Sequence, residues 1–105
     1  MSPTDRFALL VEEFAPLDGV IPPGTTNGFG SSALRFEGRI FAMLAHDRLV
    51  LKLPSSRVAS LVAVGEGDHF DAGKGRPLKE WLSLGPDSDL SWSELAHEAL
   101  NFARR

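Results

Sequence analysis

The chain contains no cysteine. That excludes a disulfide framework and a thiolate metal site, and it fits a reducing compartment. No secretory leader is expected either, because the opening MSPTDRFALL has no basic region running into an apolar core. Long hydrophobic runs are also lacking. The longest wholly apolar stretch, Ile40–Ala45, is far short of a membrane span. Together these absences predict a cytoplasmic protein with no membrane partner.

An excess of positive charge is missing too. The net charge is -3 and the pI about 5.5, which weighs against sequence-independent affinity for nucleic acid. Residues 1–53 carry five basic and six acidic side chains, and residues 54–105 carry six and eight. No block of sequence supplies a basic patch, so any such patch must be assembled by folding. There is no internal repeat and no low-complexity tract. With 105 residues, 43% of them hydrophobic, the chain reads as a single domain over 1–105 with one core.

The stretch Gly65–Trp81, GEGDHFDAGKGRPLKEW, has the look of a reactive loop and fails each test of one. A phosphate-binding loop needs four residues between its glycines and a hydroxyl after the lysine. Here Gly67 to Gly73 encloses five, Gly75 stands in place of the hydroxyl, and Pro77 follows where a helix should open. Asp68, His69 and Asp71 lie close together, but no further ligand arrives with metal-site spacing, so a solvated loop is expected and no metal. No nucleophile elbow is present. The other histidines, His46 and His97, fall in a predicted turn and on the solvent side of the last helix.

What is present specifies a fold. Ser2 can cap a helix with Pro3 in its first turn, and Phe7, Leu10, Val11 and Phe14 form one apolar stripe. After Pro16 comes a long connection rich in glycine and proline. ALRF, RIFAMLA and RLVLKL then read as three strands joined by the pairs Glu37-Gly38 and His46-Asp47. Leu49, Leu51 and Leu53 alternate with Val50 and Lys52. Pro54 fits the first turn of a second helix, SSRVASLVAV, with Gly65 as its C-terminal cap.

A short strand is indicated near Asp68–Asp71, and a longer one over PLKEWLSL, with Leu78, Leu82 and Leu84 on one face. Glu80 falls on that face and is expected at a sheet margin. Ser91 to Glu94 form a capping box, with Leu90 and Leu95 as its hydrophobic staple, ahead of the last helix. The order α-β-β-β-α-(β)-β-α predicts an α+β fold: a two-layer sandwich, mainly antiparallel, with helices on one face.

The candidate binding residues are Arg35, Lys52, Lys74, Arg76, Lys79 and Trp81. Cations around an exposed aromatic can follow a phosphate backbone and stack a base. The competing reading packs Trp81 in the core and scatters the cations, with Arg39 and Arg48, over a solvated surface. Asp47, Asp71 and Glu80 interleave with them.

Phe29-Gly30, Gly38 with Ile40-Phe41-Ala42, Leu51-Lys52-Leu53, Phe70, and the Gly-Arg-Pro run ending in Lys-Glu-Trp occur in an order that resembles the TfoX N-terminal-domain-like group and the related MmcQ/YjbR-like proteins. The resemblance covers about residues 27–104. It implies a small α+β module with no established enzyme activity and no cofactor, and it carries over no catalytic residue. The namesake domain belongs to a regulator of competence genes and is joined to a C-terminal domain, and a DNA-associated role attaches to relatives. No such second domain is expected after Arg105. The expectation is therefore a non-enzymatic module that binds a protein or small ligand in regulation. Nucleic-acid binding is the alternative, disfavoured by the acidic pI, and a homodimer through the meander is left open.

Overall fold

The computed structural model describes residues 1–23, 33–71, 75 and 77–105. In chain order the elements are α1 (Pro3–Phe14), β1 (Val20–Ile21), β2 (Ala33–Phe36), β3 (Arg39–Ala45), β4 (Arg48–Lys52), α2 (Ser55–Ala63), β5 (Gly67–His69), β6 (Trp81–Leu84) and α3 (Trp92–Ala103). The strands form a six-stranded sheet in the order β1-β2-β3-β4-β6-β5, with every pairing antiparallel. Three helices cover one face, giving the two-layer α+β sandwich that the periodicities predict.

Local chemistry explains most boundaries. The Ser2 hydroxyl accepts the Asp5 N–H at 3.1 Å, and Ser91 accepts the Glu94 N–H at 3.2 Å, so both outer helices start on side-chain caps. Pro54 caps α2 from just outside its first turn. Gly65, at φ +82°, ends α2: its N–H reaches Val62 and the Glu66 N–H reaches Leu61, which is the Schellman arrangement.

Both meander turns hold two residues at positive φ, Glu37 and Gly38 in one, His46 and Asp47 in the other. This is the conformation that lets a tight hairpin follow the twist of its strands. The second turn does it without glycine, at a conformational cost. Asp47→Gly is therefore expected to stabilise the chain by about 0.5–1 kcal/mol. Urea unfolding of the two proteins checks this, with an unchanged denaturant dependence.

The core lies between the helices and the leucine face of the sheet. Leu34, Leu49, Leu51, Leu53, Leu82 and Leu84 meet Phe7, Leu10 and Phe14 of α1, Val58 and Leu61 of α2, and Leu95, Ala96, Ala99 and Leu100 of α3. Leu90 packs against the same cluster, as a hydrophobic staple requires. On the other face Val50, between its register partners Met43 and Ser83, is equally inaccessible.

Three details depart from the sequence pattern. A bulge lies opposite Leu34 and Arg35, which pair with Ala42 and Ile40, so Phe41 is an extra residue and both Phe41 and Ala42 are fully buried. The long connection after Pro16 contributes β1, which exists only by pairing Val20 and Ile21 with β2. The last strand begins at Trp81, not Pro77: Leu78 to Glu80 form a turn, and Leu78 is 38% exposed instead of joining Leu82 and Leu84 in the core. The edge strands β1 and β5 have two and three residues, which offers a second copy only a short ladder.

Candidate functional site

Antiparallel pairing brings the start of β3, the end of β4 and the start of β6 to the same end of the sheet. The first turn of α2 and the last turn of α3 arrive there too. Lys52 and Trp81 are register partners, and the Lys52 ammonium lies 5.7 Å from the centre of the Trp81 ring. That is a cation–π contact at the outer limit of range. Trp81 is half-buried, so neither sequence reading of it, fully packed or fully exposed, describes it.

Two hollows open beside this pair. One of about 450 Å³ is lined by Ser55, Leu78, Lys79, Glu80 and Trp81. The other, of about 230 Å³, has Arg39, Lys52 and Arg105 as its cations, Glu80 as its acid, and Ile40 and Phe102 among its apolar walls. Among the described residues, Arg39, Lys79, Glu80 and Arg105 enter no side-chain ion pair.

The opposite end of the sheet is acidic. A hollow there is lined by Glu66, Asp68 and Asp87, with Arg48 as the one cation in its wall. A chain of net charge -3 thus gathers Arg39, Lys52, Lys79 and Arg105 around Glu80 at one end of the sheet, and Glu66, Asp68 and Asp87 around Arg48 at the other.

Of the six residues singled out by sequence, Lys52, Lys79 and Trp81 converge on this end. Arg35 lies two strands from Lys52, half-buried in β2 and already engaged. Lys74 and Arg76 lie outside the described residues. Arg48, counted with the meander cations, is structural: it donates to the carbonyls of Leu84 and Ser83 at 2.9 and 3.1 Å and pairs with Asp68 at 3.0 Å. It ties the start of β4 to β6 and β5. Sequence reasoning left out Arg39, Glu80, Phe102 and Arg105 as site residues. Arg39 was visible only as one meander cation, and nothing local relates it to the last turn of α3.

No group of three metal-ligating side chains occurs among the described residues. Asp68 is occupied by Arg48, and His69 Nδ1 lies 3.4 Å from the Leu78 carbonyl.

A second polar constellation joins α1 to α3. Both Ser93 Oγ and His97 Nε2 approach Glu13 Oε2, at 2.6 and 2.9 Å, and the His97 ring lies 4.5 Å from that of Phe14. The hydroxyl donates to the carboxylate rather than to the imidazole, so this is a clasp between helices and not a nucleophile with its base. His97 is on the solvent side as expected, 48% exposed, yet it has work to do there. The Ser93 hydrogen bond holds the Glu13 carboxyl below its ordinary pKa; partial burial opposes this, and His97 adds to it.

A carboxylate with a lowered folded pKa stabilises the fold above its unfolded pKa and loses that contribution as pH falls through the folded value. Ser93→Ala is accordingly expected to cost about 0.5 kcal/mol near neutral pH, modest because the partners are water-exposed. The deficit should shrink below the ordinary carboxylate pKa. Unfolding curves across pH and carboxyl NMR titration of Glu13 test both parts.

The fold and this charged end define a small two-layer α+β module with an open, basic, partly aromatic surface at one end of its sheet. No family model, curated protein or solved structure matches the chain. No helix among the described residues is long and apolar enough to cross a membrane.

Proposed function

We propose that the chain is a small, non-enzymatic cytoplasmic module, akin to the TfoX N-terminal-domain-like group, that binds a protein or small ligand in regulation through the Lys52–Trp81 end of its sheet. The observation that carries this reading is the gathering of unpaired cations, Arg39, Lys79 and Arg105, with Lys52 and a half-buried tryptophan around two open hollows. Unneutralised like charges repel and weaken a fold, so their concentration at one end is better explained by a ligand than by stability. The test is a titration of isotope-labelled protein with anionic metabolites and with short single- and double-stranded DNA. Shifts at Lys52, Lys79 and Trp81 are expected. Ligand-induced shifts confined to the Glu13–His97 face, or metabolite turnover abolished by one substitution, would overturn the reading.

A second reading, nucleic-acid binding, is favoured by Lys79 standing unpaired beside Trp81 and its hollow. On that reading DNA affinity falls steeply with salt, and Lys79→Ala lowers the slope of log K against log salt by about 1. Absence of DNA binding at low salt rules it out.

A further inference from the structure

The two hollows at the basic end differ in chemistry. The larger one has a single cation, Lys79, against Glu80, and opens widely beside Trp81. The smaller one, about 230 Å³, places three cations from three different elements around one space: Arg39 from the start of β3, Lys52 from the end of β4, and Arg105 from just beyond α3. Its walls include Ile40, Phe102 and Ala103. Phe102 is half-buried, so part of its ring remains available to a ligand.

Resting on the reading of this end as the binding surface, we propose that the Arg39–Lys52–Arg105 hollow binds a small amphiphilic organic anion. The carboxylate or phosphate of the ligand lies among the three cations, and its apolar body lies on Ile40 and Phe102. Guanidinium groups suit either head group, because a planar fork of donors meets two oxygens at once. The hollow falls below the ~300–1,000 Å³ typical of drug-sized ligands, so the ligand is small. Glu80 borders the same space, and its carboxylate lowers the affinity for any anion there. A macromolecular polyanion makes different demands: it needs cations spread along a track, not gathered round one small space.

The probes are 2-naphthoate, 1-naphthyl phosphate and the uncharged 2-naphthalenemethanol, with a short DNA duplex as the macromolecular arm. Binding is followed by amide shifts and calorimetry at low salt. At least one naphthyl anion is expected to bind saturably at ~0.1–1 mM, with shifts centred on Arg39, Lys52 and Phe102, and the alcohol at least about ten-fold more weakly. Which head group binds better separates a carboxylate ligand from a phosphate one.

Arg39→Ala and Lys52→Met are each expected to weaken the anion about five- to ten-fold. Glu80→Gln is expected to tighten it about two- to three-fold. Arg6→Gln, on α1 beside Trp92 and outside both hollows, should leave naphthyl-anion binding unchanged, and circular dichroism confirms that each variant folds.

Equal binding of the alcohol, weakened binding in Glu80→Gln, or shifts scattered away from Arg39 and Lys52 overturns the proposal. If duplex DNA alone binds, and Lys79→Ala alone weakens it, the small-anion proposal fails while the binding role of this end stands. If no anion of any size perturbs this end, both fail.

Discussion

Phe41→Ala is expected to cost about 3–5 kcal/mol, enough to leave a domain of ordinary stability barely folded. Phe41 is one of the two largest fully buried side chains; the other, Phe14, has its ring centre 5.9 Å away, tilted at 46°. Removing the Phe41 ring takes away its burial and leaves a void between β3 and α1. The bulge makes the void hard to close. Phe41 and Ala42 both turn toward the helices because two residues of β3 stand opposite one interval of β2, and the paired strands on either side hold that backbone in place. Collapse would have to come from α1, which is anchored by Phe7, Leu10 and Phe14 along the same stripe.

Chemical denaturation reads the loss directly. Hydrogen exchange should show α1 opening first, together with the Glu13–His97 clasp that depends on its position. The conservative Phe41→Leu should recover much of the stability, about half or more, because it keeps most of the volume. A cost under about 1 kcal/mol for Phe41→Ala would mean the bulge closes, and that β3 can pair in regular register.

That bulge also marks the limit of what the sequence could reveal. The two-residue turns on either side identified RIFAMLA as a strand, and capping residues and stripes located all three helices, because these signals lie within a few residues of one another. Nothing within the strand says where an extra residue enters, since Ile40, Phe41 and Ala42 are all apolar and fit either register. The strand β1 was hidden for a related reason: Val20 and Ile21 are extended only because Phe36 and Arg35 lie opposite. Leu78 was misplaced because alternation was counted back from Leu84 through a turn, where period two has no meaning.

The candidate site follows the same rule. Lys79 and Trp81 were found because they are neighbours in sequence. Lys52 joins them through the pairing of β4 with β6, which crosses α2 and β5 in the chain. Arg105 comes to Arg39 only through the packing of α3 over β3 and β4. A net charge of -3 hid the basic end, because composition averages over a surface on which folding gathers several cations at one place. Conversely, Arg48 looked like one more free cation, and only the tertiary structure shows its three donors spent on β5 and β6.

Gly67→Ala is expected to cost about 2–4 kcal/mol, well above the cost at Gly38, Gly65 or Gly75, where an added Cβ meets nothing. An added Cβ at Gly67 would stand 2.5 Å from the Ser83 carbonyl oxygen and 3.2 Å from the Leu84 Cα, both backbone atoms of the neighbouring strand. No rotamer relieves such a contact. Relief requires β5 to move away from β6, against the pairing of Gly67 with Leu84 and Asp68 with Ser83.

The damage should spread along β5. Asp68 would leave Arg48, and the hydrogen bond from the Phe70 N–H to the Trp81 carbonyl, 2.8 Å long, would weaken at the other end of the strand. Faster amide exchange at His69, Phe70 and Ser83, with α1 and α3 still protected, is the expected pattern. Trp81 should become more accessible to a fluorescence quencher.

Gly65→Ala is the control. Gly65 has φ +82° but nothing within 4 Å of an added Cβ, so only the left-handed backbone resists, at about 1 kcal/mol. Equal costs at the two positions would show that φ alone decides both. The expected difference instead makes Gly67 the point where two backbones touch, and it makes the seating of β5 the support on which Trp81 and the basic end rest.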